Sequence, residues 1–143
     1  MKILILAAHP DDEVLGMGGT IKKLSKGGND IKIIFMSTGI LSRRKIESKV
    51  SKQVFTKDWM KKNENKIKSL RGDAKKAGKI LGVNEIEFMD FPDNEMDIVS
   101  TLMITKSIEN SIKDFNPKVV YTTPQNDVNV DHRKVYASTL VAT

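Results

Sequence analysis

His9, Asp11, Asp12 and Glu13 place one imidazole and three carboxyl groups within five positions of the chain, interrupted only by Pro10. Carboxylates held that close repel one another and lose hydration beside apolar chain, and a bound divalent cation is the simplest compensation. A histidine and carboxylates are ordinary ligands for such an ion. A helix N-terminus also favours acids, which accounts for Asp12 and Glu13 but not for His9 beside Asp11.

Such a cluster needs an element to carry it. Ile3–Ala8 is aliphatic without alternation, the pattern of a strand buried on both faces of a parallel sheet. Ligands bind beyond the carboxyl ends of such strands, where His9 to Glu13 fall. Pro10 lacks an N–H and biases His9 towards extended backbone, so the strand stops there. Val14 to Ser25 follows as a helix ending at Gly27 and Gly28. The run Gly16-Met17-Gly18-Gly19 is a weak dinucleotide signal, because the glycines come after acids that would repel a pyrophosphate.

The segment AAHPDDEVLGMGGTI resembles the opening motif of the PIG-L and LmbE-like zinc-dependent N-deacetylases, which remove acetyl from N-acetylglucosamine-type sugars. The resemblance implies His9 and Asp12 as metal ligands and Asp11 as general base, with Glu13 supporting them. It also requires a histidine at the exit of a later strand. The chain has only two histidines, and VDHRKV supplies His132.

Composition is consistent with this. A chain of 143 residues is expected to form a single domain over 1–143 with a real core. It contains no cysteine, so neither a disulfide framework nor a thiolate zinc site is available, and any zinc must be held by His and carboxylate. The opening MKILILAA is too short for a signal sequence and no membrane span is evident, so a cytoplasmic setting is the default. The net charge is +6, and the stretch from Arg43 to Lys79 holds 14 Lys or Arg against 4 Asp or Glu. That surface would attract an anionic substrate, though in a Lys-rich chain a solvated helical face is the more ordinary explanation. No nucleic-acid motif accompanies it, so nucleic acid is not an expected partner. Homo-oligomerisation is left open.

Strand and helix then alternate. Ile31–Met36 reads as a second buried strand, whose exit places Thr38 and Gly39 as pocket lining. Ile46, Val50 and Val54 lie at helical spacing, with Phe55 and Trp59 beyond. Trp59 reads as a core or lid-packing aromatic, with a sugar platform as the alternative. Ile67–Leu81 is a clear amphipathic helix stopped by Gly82, Ile86–Met89 a third strand, Ile98–Phe115 a helix with Leu102, Ile108, Ile112 and Phe115 buried, and Lys118–Thr123 a fourth strand. The resemblance points to Arg71, on the Ile67–Leu81 helix, as an arginine reaching substrate, and to Asp93 rather than Asp90 as an acid contacting sugar hydroxyls. Turn chemistry explains Pro92, Asp93 and Asn94 equally well.

Many family members carry a second histidine three positions before the last ligand, where this chain has Asn129. The pattern DVNVDH is similar to a subgroup reading roughly DLNIDH. Asn129 can donate a neutral hydrogen bond to an oxyanion but no proton, which leaves both proton transfers to Asp11. Asp127 and Asp131 are expected to orient His132 or cap its helix. The fold expected is α/β, a Rossmann-like three-layer sandwich with a mainly parallel sheet, C-terminally truncated relative to the family. Two other classes fit parts of the pattern: a receiver-type domain binding magnesium through Asp11 and Asp12, and a catalytically silent module holding an anionic glycan or nucleic acid on its basic face.

Overall fold

The computed structural model describes residues 1–41 and 56–143. Four parallel strands, β1 (Lys2–Ala7), β2 (Asp30–Ser37), β3 (Glu85–Phe91) and β4 (Val119–Tyr121), form one sheet in the order β3-β2-β1-β4. The helices among the described residues are α1 (Asp12–Lys26), α2 (Lys57–Lys62), α3 (Glu64–Leu81), α4 (Thr101–Phe115) and α5 (Val130–Ala142), with a 3₁₀ turn at Met96–Ile98.

The unalternated apolar run of β1 is explained by what covers it. Ile3, Ile5 and Ala7 face Ile21 of α1 and Ala74 of α3, with Ile31, Ile33 and Phe35 of β2 on the same side. Leu4, Leu6 and Ala8 face the opposite way, against Ile104 and Ile108 of α4 and Val135 of α5. Both central strands are therefore sandwiched between helical layers. Burying each such aliphatic side chain contributes about 1.5–3 kcal/mol.

The strand order reverses between β1 and β4, because the chain steps outward from β1 through β2 to β3 and then returns to the other side of β1. Helix dipoles and free backbone groups converge in the crevice at that point. His9 leaves β1 there, and α5 begins on the loop that leaves β4.

Several element boundaries differ from expectation. The fourth helix starts at Thr101, after the separate 3₁₀ turn, and Leu102 is 64 % exposed instead of buried, whereas Ile108 and Phe115 are in the core. Apolar periodicity had taken in one position on the solvent side of the stripe. Trp59 lies half-buried on α2. The helical spacing of Ile46, Val50 and Val54, with Phe55, falls outside the described residues. Among the described residues, no helix is long and apolar enough to cross a membrane.

Gly39 illustrates how closely the strand exits pack. Its φ is +72°, and a Cβ built on it would lie 2.7 Å from Cδ of Pro10. Gly39→Ala should therefore cost about 1–3 kcal/mol of stability, from the left-handed backbone together with the clash against a rigid ring. Thermal unfolding checks this, and an unchanged midpoint would contradict the packing described.

Candidate metal centre

The two histidines, separated by 123 positions, meet in the crevice: His132 Nε2 lies 3.3 Å from His9 Nδ1. Asp12 Oδ2 is 3.2 Å from His132 Nε2 and 3.6 Å from His9 Nδ1, so three ligand atoms form a nearly regular triangle.

The other face of each ring fixes which nitrogen points inward. His9 Nε2 is 2.9 Å from Asp131 Oδ2, and His132 Nδ1 is 2.9 Å from Asp127 Oδ2. A carboxylate only accepts, so these two nitrogens carry the hydrogens, and in the neutral rings His9 Nδ1 and His132 Nε2 are bare. Two lone pairs and a carboxylate oxygen then face one another, an arrangement that needs a cation in its centre. Tetrahedral zinc with bonds of about 2.0–2.1 Å would hold its ligands roughly 3.3 Å apart, so the donor set fits such an ion.

Without a metal, protons fill that role. Burial disfavours a charged His9, but its hydrogen bonds to Asp12 and Asp131 outweigh this and push it up to about 10. The Asp12 carboxylate and then burial act on His132 in opposite senses, with a net rise. Burial would raise Asp12, yet the two imidazoles hold it well below the usual carboxylate range.

Asp131 contributes more to the site than its sequence context suggested. It is fully buried, and its Oδ2 accepts Asn94 N–H at 2.7 Å while Oδ1 accepts Met96 N–H at 3.1 Å. It thus orients His9, while the orienting of His132 falls to Asp127. Asp131→Asn would turn an amide N–H₂ towards a donor. It should lower metal affinity about 10–100-fold and stability by about 1–3 kcal/mol, as read by metal titration and thermal unfolding.

Asp11 stands at the start of α1 with φ 150° and ψ −25°, a backbone that non-glycine residues rarely adopt. Its N–H donates to Oε2 of the buried Glu13 at 3.1 Å, and its carbonyl accepts from Val14 and Leu15, so the strained turn is pinned on both sides. Burial pushes the Glu13 carboxyl up. Asp11 itself is exposed and does not cap the helix with its side chain. Asn129 caps α5, with Oδ1 accepting Asp131 N–H at 2.8 Å, and its Nδ2 donates to Asn94 Oδ1 at 3.3 Å.

The remaining predicted residues are placed variously. Asp93 is fully buried, with a carboxylate that accepts Leu41 N–H and lies 3.4 Å from His9 Nε2; burial raises it. As placed it meets His9 and not solvent. Thr38 is buried at the exit of β2, with no hydrogen-bond partner for Oγ1 among the described residues. Gly39 packs on Pro10. Arg71, on α3, is not brought to the triangle by any described contact: it bonds Asp90 of β3 and lies over the Phe88 ring, 5.0 Å from its centroid. Asn94 was not anticipated as a site residue. Its φ of 56° was signalled only by ordinary turn chemistry.

Residues 4–143 match the family model described as PIG-L: GlcNAc-PI de-N-acetylase. A diacetylchitobiose deacetylase of Thermococcus kodakarensis is 30% identical over 83% of this chain and 39% of its own length. A probable N-acetyl-alpha-D-glucosaminyl L-malate deacetylase of Bacillus cereus is 26% identical over 91% of this chain and 55% of its own. The solved N,N'-diacetylchitobiose deacetylase of Pyrococcus horikoshii superimposes with a TM-score of 0.76 at 24% identity, covering 99% of this chain and 48% of that one. The chain thus spans about half the length of the relatives it matches.

Proposed function

Because the chain belongs to the PIG-L family, we propose that it is a metal-dependent hydrolase that removes the N-acetyl group from an N-acetylglucosamine-type sugar, working in the cytoplasm. The observation that carries this reading is the triangle of His9 Nδ1, Asp12 Oδ2 and His132 Nε2, with Asp11 next in sequence to one ligand and outside the set. A similar site binding magnesium would be built from oxygen donors, and two bare imidazole nitrogens argue against that.

His9, Asp12 and His132 would hold zinc, leaving part of its coordination open, and the ion would supply a water of pKa about 7 and polarise the acyl oxygen. Asp11 takes the proton of the attacking water as its oxygen bonds to the acetyl carbon. It then delivers that proton to the sugar nitrogen as the C–N bond breaks, giving acetate and a free amine. Asn129 keeps one amide hydrogen beyond its bond to Asn94, which can donate to the oxyanion. Asp127 and Asp131 hold the rings in the tautomer that binds metal, and Glu13 holds the Asp11 turn. Thr38 and Gly39 line the approach at the exit of β2, and Arg71 would reach substrate only by giving up Asp90. Asp93 would need its loop to shift before it could meet a sugar hydroxyl.

The reading is tested by amine release from N-acetylglucosamine and its conjugates. Release by zinc-loaded protein that is abolished by a chelator supports it. A zinc-loaded, folded protein that frees no amine from any N-acetylated sugar would overturn it.

A further inference from the structure

A cavity of about 490 Å³ opens from the metal triangle on the β4 side of β1, with Asp12 and His132 among its lining residues. It exists because the two strands part early. β4 pairs only with Ile3, Leu4 and Ile5 of β1, and Pro124, which cannot donate to a ladder, stands just beyond its end. The gap is lined by Ile5 and Ala7 of β1, by Leu15 and Met17 of α1, and by Thr122 to Pro124. The threonine hydroxyls are engaged by α5: Thr122 Oγ1 lies 3.0 Å from Thr139 Oγ1, and Thr123 Oγ1 donates to the His132 carbonyl at 2.8 Å. The charged groups in the lining, Asp12, Glu13, Asp127 and His132, belong to the metal triangle and its supports. Away from the triangle the cavity therefore offers mainly apolar surface.

We propose that this cavity receives the acyl chain of the substrate, so that the enzyme cleaves N-acyl amino sugars whose chains are longer than acetyl, such as hexanoyl. This rests on the deacetylase reading above and extends it on the acyl side. Asp11 lines a different cavity, of about 250 Å³, between α1 and Leu70, Ala74 and Ala77 of α3. In the tetrahedral state the acyl carbon carries two oxygens at the metal, the sugar nitrogen and its own alkyl group. The nitrogen must lie towards Asp11 to receive its proton, so the alkyl group is left to point the other way, into the apolar space. An acetyl group ends in a single methyl, whereas a cavity of about 490 Å³ falls within the range of about 300–1,000 Å³ that encloses whole small-molecule ligands. Each further methylene buried there strengthens binding by about fourfold. The reaction keeps its balance: the water oxygen bonds to the acyl carbon, the C–N bond breaks as Asp11 returns the proton to nitrogen, and a carboxylate and a free amine leave.

The experiment offers zinc-loaded protein glucosamine bearing N-acetyl, N-butanoyl or N-hexanoyl groups and follows amine release. kcat/KM should rise with chain length, the hexanoyl sugar exceeding the acetyl one by at least about tenfold. Gly16→Leu probes the cavity itself, because Gly16 lines it and a Cβ built there meets nothing within 4 Å. That variant should lower the hexanoyl-to-acetyl ratio of kcat/KM by about tenfold, as the added side chain occupies the space. A second readout needs no turnover: hexanoate and acetate, the acids the reaction releases, are titrated calorimetrically into zinc-loaded protein, and hexanoate should bind at least about tenfold more tightly. Amine released from the acetyl sugar with no gain for the hexanoyl one, or a ratio unmoved by Gly16→Leu, overturns the acyl cavity and leaves the deacetylase reading intact. Equal affinities for the two acids overturn it as well. No amine from any of the three sugars, with hexanoate still bound more tightly than acetate, supports the cavity and overturns the deacetylase reading.

Discussion

Asp11→Asn should leave one metal bound per chain and lower turnover about 10²–10⁴-fold, the range over which a positioned general acid–base group acts. The substitution isolates the proton. Asp11 lies outside the ligand set, so His9, Asp12 and His132 keep their geometry. Its side chain makes no capping hydrogen bond to α1. Asparagine has the shape of aspartate and keeps the same backbone N–H, so the turn pinned by the bond from that N–H to Glu13 should survive. What disappears is a carboxylate able to accept the proton of water and return it to the amine. Asn129 cannot replace it, because an amide neither gains nor loses a proton near neutrality. Steady-state kinetics beside metal analysis of the same sample checks this, and near-normal turnover would remove Asp11 from the mechanism.

The second large effect is on metal affinity as a function of pH. In the metal-free site His9 is raised to about 10, so its imidazole is protonated at pH 6–7, and His132 is raised as well, whereas the metal takes both rings neutral. Binding should release at least the His9 proton, and the affinity should climb at least about tenfold per pH unit across that range. Competition titrations with a chelator at several pH values measure the slope, and an affinity that does not change with pH there would mean that His9 is not protonated in the metal-free site. The same interactions affect folding of the metal-free protein. His9 rises from 6.5 to about 10, so its contribution is fully present below 6.5 and lost as pH rises through 10. Asp12 is depressed, so its contribution is present above its ordinary value of 3.8 and lost as pH falls through its lower folded one. Metal-free protein should therefore melt at a lower temperature at pH 10 than at pH 6, and added zinc should reduce that difference.

The part of the site carried by residues 9–13 was legible in the sequence because its information is local: an unalternated apolar strand, a proline stop and a dense group of acids together point to a ligand-bearing strand exit and to little else. The pairing of His9 with His132 needed the family resemblance, since nothing within either segment specifies a partner 123 positions away. The partner of each carboxylate was less legible still. Asp131 and Asp127 both flank His132 in sequence, yet the turn of α5 sends Asp131 inward to His9 and to the N–H groups of Asn94 and Met96. Which face a helical residue presents depends on where the helix is docked, and the same cause put Leu102 in solvent. Arg71 shows the limit from another side. Motif position proposed it for substrate, but its bond to Asp90 depends on how α3 crosses β3, which spacing along the chain does not encode.

The most direct test of the account is metal content per chain in zinc-supplemented protein, native against His132→Ala. The triangle predicts about one zinc in the native protein and a large loss in the variant, with both folded as judged by circular dichroism. A native protein that folds but binds no zinc, or a variant that retains it fully, would contradict the joining of the two strand exits into one metal centre.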